Sequence, residues 1–295
     1  MRPSAILSEL YTKVSFNLRH HARQPHPLRS LAADLLARSG GTRIVTFRHA
    51  GSRFRLRPAG LSRLLWAEPK RALDGERFVS RFLRLGETMV DVGANIGVHA
   101  LAASRVVGGR GRVLAIEAHP ETFRALEDNI RLNGTQNLTA VCSAAGPSPG
   151  RVRFSNRPDD DWNQVDAAGS LEVEQRTLDE IGSELGAVAL MKIDVEGYEL
   201  PCLRGASALL ARTQCVMLEY WTEHTRHFGY RLVDLVEFMR GCDFSAHVLV
   251  EEGAGVAAPP LPIAAEPGEL LNLVFVRDLA ALQRIVPAPL APFKT

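Results

Sequence analysis

Cysteine is scarce in this chain of 295 residues. The four cysteines form no Cys-x-x-Cys pair and follow no regular spacing, and three of them sit in apolar runs. This pattern favours buried free thiols over disulfides or a zinc site, and it predicts a reducing compartment.

Long hydrophobic runs are also missing. No apolar run approaches the roughly 18 residues that span a membrane. The N-terminus carries basic residues but no uninterrupted apolar segment, so we expect no signal peptide and predict a cytoplasmic location. The hydrophobic content of 46% is that of an ordinary globular protein that buries a sizeable core.

The net charge of +2 hides an uneven distribution. Residues 1–57 hold eleven Lys and Arg but only two acids, a net charge of +9, which leaves −7 on the rest of the chain. A basic arm on an acidic body suits a phosphorylated substrate, an anionic membrane face or nucleic acid. The plainer interpretation is a solvated face that packs partly on the acidic body, and both stay open.

Strands and helices alternate from residue 88 onward. The pattern predicts strands at 88–92, 112–117, 138–142, 152–154, 171–176, 187–194, 214–221, 244–250 and 270–276. It predicts helices at 75–85, 96–107, 120–133, 198–211 and 230–240. Near-continuous apolar strands alternating with helices favour a parallel sheet covered on both faces. The last two strands have no helix between them, so we expect them to form a C-terminal antiparallel hairpin.

A glycine turn follows the first of these strands and precedes a helix. Such a turn lets a ligand approach the backbone, and the helix start offers unpaired N–H groups. The spacing Gly93-x-x-x-Gly97 differs from the Gly-x-Gly-x-x-Gly turn on which a pyrophosphate sits. Asp91, just before the turn, would repel a phosphate but suits a cation or an amine. The turn therefore points away from NAD and toward S-adenosylmethionine, whose sulfonium and ammonium groups are positive.

The ends of the next two strands add to this site, because ligands of open α/β sheets bind outside the carboxyl ends of the strands. Glu117 lies about twenty residues past Gly97, where an acid commonly accepts both hydroxyls of a ribose. The third strand ends near small residues that let an adenine lie against the backbone. The predicted cofactor-binding residues are Asp91, Gly93, Ala94, Asn95, Gly97, Glu117, Ala118, Ser143 and Ala144.

Four motifs in this order resemble those of the FkbM-type methyltransferases. They are Val90 to Gly97, Ile116-Glu117-Ala118-His119-Pro120, Thr177-Leu178-Asp179 and Lys192 to Glu199, and Leu203-Arg204-Gly205-Ala206 also fits. The resemblance covers about residues 75–222. One departure is Ala118-His119-Pro120, where the family more often has Glu-Pro-x-Pro, so we expect His119 to alter the ribose edge without abolishing it.

The resemblance implies a Rossmann-like class I S-adenosylmethionine-dependent methyltransferase fold with a mostly parallel seven-stranded sheet. It implies O-methylation as the activity, on sugars, glycans, or polyketide and other secondary-metabolite hydroxyls. The domains expected are a basic extension of helices plus a small hairpin at 1–74, the methyltransferase domain at 75–280, and a tail at 281–295. We expect a small-molecule or glycan partner and no nucleic acid. A membrane-bound glycan would suit the basic arm, and the oligomeric state stays open.

The catalytic candidates lie at the end of the strand 187–194. The methyl group is already activated by the positive sulfur, so the protein must align the nucleophile and remove its proton. Asp194 is the best candidate base, and Lys192, on the same strand face, would tune it or stabilise an alkoxide. Glu196 would share a proton or complete a cation site. The alternatives are a buried ion pair for Lys192 and a cap on the helix near Tyr198 for Glu196.

Other polar groups are weaker candidates. Glu219 would face the substrate or make a structural hydrogen bond. His224 and His227, with Glu223, would suit a divalent cation, but a solvated loop is the plainer interpretation. The run Asp159-Asp160-Asp161-Trp162 suits a metal or a sugar, or is simply an acidic loop. No metal ligand is predicted, and activity retained in EDTA would argue against a divalent metal requirement.

Three other classes of function compete with O-methylation. Methyltransferases that modify exocyclic amines of nucleic acids carry Asp/Asn-Pro-Pro-Tyr/Phe where this chain has Asp194-Val195-Glu196-Gly197. A nicotinamide-dependent reductase would need the three-glycine turn and a Tyr-x-x-x-Lys pair, and the chain has neither. The intact Asp-Val-Glu-Gly segment argues against a catalytically silent S-adenosylmethionine-binding protein. Acceptor specificity is expected from the N-terminal arm and from residues 155–170 and 222–229.

Overall fold

A computed structural model describes residues 26–39, 45–57, 60–157, 163–252, 255–261 and 270–283. The chain divides into two compact units, Met1–Arg71 and Ala72–Thr295.

The first unit contains two helices and a hairpin in its described part. These are α1 (Pro27–Ser39), β1 (Thr46–His49), β2 (Ser52–Arg55) and α2 (Gly60–Ala67). The hairpin turns at Ala50 and Gly51, both with positive φ, which is the geometry that tight antiparallel turns require. The hairpin confirms the strand pairing expected around these two residues. The part of the predicted N-terminal helices before residue 26 lies outside the described residues.

The second unit is built on a seven-stranded sheet. Its strands are β3 (Thr88–Val92), β4 (Arg112–Glu117), β5 (Leu138–Cys142), β9 (Val188–Ile193), β10 (Thr213–Trp221), β11 (Ser245–Val248) and β14 (Leu270–Val276). Their order is β11-β14-β10-β9-β3-β4-β5, and six of the seven run in one direction. Only β14 runs the other way, inserted between β10 and β11. The mostly parallel sheet and the C-terminal antiparallel pair are thus confirmed.

Two smaller sheets accompany it in the described part of this unit. One is three-stranded, with β6 (Ala144–Ala145), β7 (Gly150–Phe154) and β8 (Leu171–Arg176). The other is a hairpin of β12 (Val250–Glu252) and β13 (Gly255–Ala257), which the sequence pattern did not predict. The central strands β3 and β9 are almost wholly buried, as their unbroken apolar character predicts.

Helices flank the large sheet. They are α3 (Glu76–Phe82), α4 (Val98–Val107), α5 (Pro120–Asn133), α6 (Leu178–Ile181), α7 (Glu199–Arg204), α8 (Ser207–Ala211), α9 (Thr222–Thr225), α10 (Leu232–Gly241) and α11 (Leu279–Gln283), with a 3-10 turn at Arg226–Phe228. None of the described helices is long and apolar enough to cross a membrane.

The helix predicted at 198–211 is in fact two short helices separated at Gly205. A side chain on Gly205 would place its Cβ 2.1 Å from the carbonyl oxygen of Gly146, so the chain comes too close to a neighbouring turn for any other residue. Asp179 then starts α8, because its carboxylate accepts hydrogen bonds from the backbone N–H groups of Ala208 (3.0 Å) and Leu209 (2.7 Å). This places Asp179 of the Thr-Leu-Asp motif in a structural role.

Candidate active site

The glycine turn after β3 lies against the segment that follows β9. Gly93 has φ +73°, and a Cβ added there would lie 1.8 Å from the carbonyl oxygen of Asp194. The backbone N–H groups of Gly93 and Ala94 both donate to the carbonyl of Ile116, at 2.9 and 3.0 Å. The turn is therefore fixed to β4 on one side and in backbone contact with β9 on the other, so position 93 must be glycine.

Glu117, at the end of β4, is the carboxylate that faces this turn. Its Oε2 accepts from the N–H of Asn95 (2.9 Å) and its Oε1 from the N–H of His119 (2.8 Å). Burial raises the pKa of Glu117 to about 7, although both hydrogen bonds favour the charged form. The structure thus brings Glu117 to the turn residue Asn95, as expected for one cofactor site.

The backbone conformation of the turn also explains why its remaining positions hold asparagine and glycine. Asn95 has φ +49°, and its side-chain oxygen accepts from the N–H of Ile96 at 2.7 Å. Gly97 has φ +90°, and a Cβ there would lie 2.6 Å from Leu126 Cδ1. Both residue types are thus required by the backbone itself.

The small residues expected against an adenine lie at the end of β5 and in β6. Ala144 is buried, and Ala118 packs against the same small apolar cluster. Ser143 is buried as well, and its hydroxyl lies within hydrogen-bond distance of the carbonyls of Ala144 (2.9 Å) and Glu174 (3.2 Å). Ser143 therefore uses its side chain to hold the backbone together.

His119 caps helix α5. Its Nδ1 accepts from the N–H of Thr122 at 3.4 Å, and its Nε2 lies 3.2 Å from Asn156 Oδ1. Because Nδ1 is the acceptor, Nε2 carries the proton that the Asn156 oxygen accepts. The departure from the family pattern thus gives this chain a histidine cap next to Pro120 at the first helical position.

Lys192 lies between two carboxylates. Its Nζ is 3.6 Å from Asp91 Oδ1 and 3.1 Å from Asp194 Oδ2. Burial by itself lowers the pKa of Lys192, but Asp194 and Asp91 outweigh burial and the pKa is raised, so the lysine is charged. This is the buried ion pair that the sequence offered as one interpretation of Lys192.

The two carboxylates differ in their surroundings. Asp91 is fully buried, and within the described residues no hydrogen-bond donor reaches either of its oxygens. The side chain of Asp194 is 34% exposed. Lys192 therefore connects an interior acid with one that reaches the surface, and Asp194 is the member of the group that a substrate can contact.

Glu196 follows Asp194 in a turn with unusual backbone geometry. Its φ is +55°, a conformation that few residues other than glycine adopt. Its Oε2 lies 2.9 Å from His224 Nδ1, and α7 begins only at Glu199. The interpretation of Glu196 as a helix cap is therefore wrong, because its carboxylate pairs with a histidine from the segment after β10.

That segment is helical, so the interpretation of the stretch around His224 and His227 as a loop is wrong. His224 is mostly buried, and its ring centre lies 4.0 Å from that of Trp221. His227 is exposed, and its Nδ1 lies 3.1 Å from the carbonyl oxygen of Glu223. The two histidines do not converge, and within the described residues no group of three or more His, Cys, Asp or Glu is arranged to hold a metal ion.

Glu199 is a residue beside the site that sequence reasoning left without a role. It is buried, and its carboxylate accepts from the N–H groups of Val195 (3.3 Å) and Gly197 (3.0 Å) and from the hydroxyl of Tyr230 (2.8 Å). Burial raises its pKa to about 7. Glu199 therefore holds the turn that carries Glu196, and its place in the fourth motif was the only signal of this.

His99 and Glu219 complete the ionisable groups near Lys192. His99, in the first turn of α4, has its Nε2 2.9 Å from the carbonyl oxygen of Asp74, and burial, followed by the charge of Lys192, lowers its pKa. Burial, followed by the charges of Asp194 and Glu196, raises the pKa of Glu219 to about 8. The sequence named Glu219 but gave no signal for His99. The acidic run ending at Trp162 lies outside the described residues.

These features define the class of the protein. A seven-stranded sheet with one antiparallel strand inserted next to the edge, a glycine turn after β3 and an acid at the end of β4 form the class I fold of S-adenosylmethionine-dependent methyltransferases.

The comparison with known proteins names the family. The family model of the methyltransferase FkbM domain matches residues 91–246, and the chain belongs to this family. It is 31% identical over 158 residues to the hexuronic acid methyltransferase AglP of Haloferax volcanii. The aligned residues make up 50% of this chain and 64% of AglP. It is also 44% identical over 73 residues to a tRNA (guanine(37)-N(1))-methyltransferase of Danio rerio. That alignment covers 24% of this chain and 14% of the other protein. The chain thus spans less than two thirds of each relative.

A solved structure of a methyltransferase FkbM from Methylobacillus flagellatus aligns with a TM-score of 0.42 and 22% identity. The alignment covers 64% of this chain and 43% of that one.

Proposed function

We propose that this protein transfers a methyl group from S-adenosylmethionine to a hydroxyl of a sugar or glycan. The observation that carries the proposal is the partly exposed carboxylate of Asp194, which Lys192 holds beside the glycine turn. The relative AglP, named as a hexuronic acid methyltransferase, supports a sugar as the acceptor. We call the residues proposed to bind S-adenosylmethionine the donor side, and those proposed to bind the hydroxyl the acceptor side.

The residues of the donor side fit S-adenosylmethionine. The absence of a side chain at Gly93 lets the turn lie directly against the backbone of Asp194, and Glu117 offers carboxylate oxygens with remaining acceptor capacity for ribose hydroxyls. Ala118, Ser143 and Ala144 would line the adenine. Asp91, with no donor to its buried oxygens, adds negative charge beneath the site. When bound, S-adenosylmethionine supplies a methyl group on a positively charged sulfur.

On the acceptor side, Asp194 accepts a hydrogen bond from the hydroxyl and orients its oxygen, or removes its proton. Because one of its oxygens is already bound by Lys192, its side chain has little freedom, which favours a fixed orientation of the acceptor. Burial, followed by the charges of Asp194 and Glu196, raises the pKa of the nearby Glu219 to about 8, so Glu219 is mostly protonated at neutral pH. The charges of Asp194 and Glu196 disfavour the phosphates of a nucleic acid, which is the competing acceptor class.

The test is a turnover assay with the purified protein, S-adenosylmethionine and a panel of uronic acid and neutral sugar glycosides, with formation of S-adenosylhomocysteine as the readout. Asp194→Asn should lower turnover about 100-fold, since it weakens an oriented acceptor group. The dissociation constant for S-adenosylmethionine should stay within about threefold, because Asp194 is not on the donor side.

Asp243→Asn is the matched control, since the side chain of Asp243 is 91% exposed. Full activity of Asp194→Asn would disprove its role. Binding of S-adenosylmethionine without turnover on the whole panel would favour a silent binding protein, and tight, salt-sensitive RNA binding by residues 1–60 would favour a nucleic-acid methyltransferase. Loss of activity in EDTA would show a metal requirement. Peripheral membrane contact through the basic N-terminal arm stays a prediction.

A further inference from the structure

His224, which pairs with Glu196, has no part in the function proposed so far. The two side chains come from separate segments, one after β9 and one after β10, and Oε2 of Glu196 lies 2.9 Å from Nδ1 of His224. They are only 19% and 15% exposed, so water screens their attraction weakly. Since Nδ1 faces a carboxylate, it carries a proton in this pair, and the neutral ring has its lone pair on Nε2.

The backbone around the pair is held in a conformation that is unfavourable by itself. Glu196 has φ +55° and Gly197 has φ +97°. A Cβ on Gly197 would lie 2.7 Å from the carbonyl carbon of His224, so the turn and the start of α9 are in close contact. Glu199 and Tyr230 fix this turn through their hydrogen bonds. Backbone strain that the surrounding structure maintains in this way is typical of functional sites.

The pair also lies at the reactive edge of the sheet. Strands β9 and β10 are parallel neighbours, with Leu218 opposite Ile193, so both segments leave the sheet at the carboxyl edge beside Asp194. One oxygen of Asp194 is already bound there by the charged ammonium of Lys192, 3.1 Å away, which suits Asp194 to orient a hydroxyl. An imidazole oriented by a carboxylate is better suited to take a proton near neutral pH.

We propose that His224, oriented by Glu196, is the general base that takes the proton of the acceptor hydroxyl, while Asp194 orients that hydroxyl. This inference rests on the proposed function. The O–H bond breaks and its proton moves to Nε2 of His224. The electron pair of the oxygen forms the bond to the methyl group, and the electron pair of the sulfur–methyl bond stays on sulfur, whose positive charge is cancelled. The imidazolium, stabilised by Glu196, later releases its proton to water.

Other ionisable groups lie on the elements next to this imidazole. They are Lys192 and Asp194 from the end of β9, Glu199 from α7, Glu219 from β10, and Glu223 and Arg226 from its own helical segment. Variants of these residues would also move a pH profile, so the test changes only the two members of the pair.

The first experiment compares His224→Asn with His227→Gln on an acceptor that the wild-type protein methylates. Asparagine keeps an N–H donor toward Glu196 but has no basic nitrogen. The turnover number should fall about 100-fold, with the dissociation constant for S-adenosylmethionine unchanged within about threefold. His227 is exposed, and its variant should keep wild-type activity. Activity of His224→Asn within about threefold of wild type would overturn the proposal.

The pH profile separates a base from a residue that only holds the turn. The turnover number of the wild type should rise with pH along a single-proton limb, and His224→Asn should lack this limb. Glu196→Gln removes the negative charge that stabilises the imidazolium, so the limb should move to lower pH and the turnover number should fall about 10-fold. A limb unchanged in both variants would contradict the proposal.

A measurement without turnover decides the geometry of the pair. In nitrogen-15 NMR of the labelled full-length protein, with His227→Gln used for assignment, the neutral imidazole of His224 should carry its proton on Nδ1. Protonation on Nε2 instead would overturn the proposal, because the basic nitrogen would then face Glu196. If the wild type methylates no acceptor of the panel, the proposed function fails, whereas the NMR result still decides the pair.

Discussion

The proposed donor side and the proposed acceptor side of the candidate active site are built in different ways. The donor side consists of the turn at 93–97 and Glu117, and it is held mainly by backbone N–H groups and missing side chains. The acceptor side consists of Lys192, Asp194, the turn at 195–198 and residues 219–224, and it is held by charged side chains from several elements.

The difference fits what each side is proposed to bind. A shared cofactor needs a fixed shape, which a short run of residues with special backbone conformations can supply. An acceptor hydroxyl needs groups that exchange or orient a proton, and carboxylates and a histidine lie on the proposed acceptor side. Burial of Glu199 and Glu219 raises their pKa values to about 7 and about 8, respectively.

The largest effect is expected for Gly93→Ala, because Gly93 is where the donor side contacts the acceptor side. Its Cβ would overlap the carbonyl oxygen of Asp194 at 1.8 Å and would sit at φ +73°. We expect a loss of about 4 kcal/mol in the free energy of unfolding, together with loss of measurable S-adenosylmethionine binding. Urea unfolding and calorimetric titration check this.

Gly109→Ala is the control, because its Cβ would lie in open space, and it should change neither stability nor cofactor binding. A stable Gly93→Ala protein that binds the cofactor would show that the turn at Gly93 is not in contact with Asp194.

A second variant, Lys192→Met, tests whether the acceptor side depends on its buried charge. Removal of the ammonium leaves the fully buried Asp91 without its counterion, so the free energy of unfolding should fall by about 3 kcal/mol. Adding Asp91→Asn removes the orphaned charge and should recover about half of this loss of stability without restoring turnover. Equal stability of Lys192→Met and its Asp91→Asn double mutant, measured by urea unfolding, would mean that the pair is not coupled.

The smallest expected effect is on the pH dependence of the free energy of unfolding, through Glu199 on the acceptor side. Burial raises the pKa of Glu199 from its ordinary value of 4.5 to about 7, so between these values the folded protein holds a proton that the unfolded chain has lost. Its contribution to the free energy of unfolding therefore falls as pH rises through this window.

Glu199→Gln cannot ionise. It should match the wild type in stability at pH 4.5 and exceed it by about 1–2 kcal/mol at pH 8. Urea unfolding curves of the two proteins at both pH values provide the measurement. A stability difference that does not change with pH would show that Glu199 keeps an ordinary pKa in the folded protein.

Much of the fold could be predicted from sequence, because unbroken apolar strands and glycine or proline boundaries are local signals. Helix α5 begins at Pro120 and ends at Asn133 before Gly134, as predicted. The break at Gly205 could not be predicted, since its cause is a contact with Gly146, far away in the chain. The helical segment at 222–228 was missed for a related reason: His224 is held there by Glu196, from the turn after β9.

By itself, the sequence determined the parallel sheet, the glycine turn and the acid after β4, because each depends on residues that are close together in the chain. Only the tertiary structure decided that Lys192 meets Asp91, that Glu199 meets Tyr230, and that Glu196 meets His224. Those contacts join segments that sheet pairing alone brings together, and their charges are set by burial. Residue types show which groups can ionise, whereas the fold decides which of them face one another.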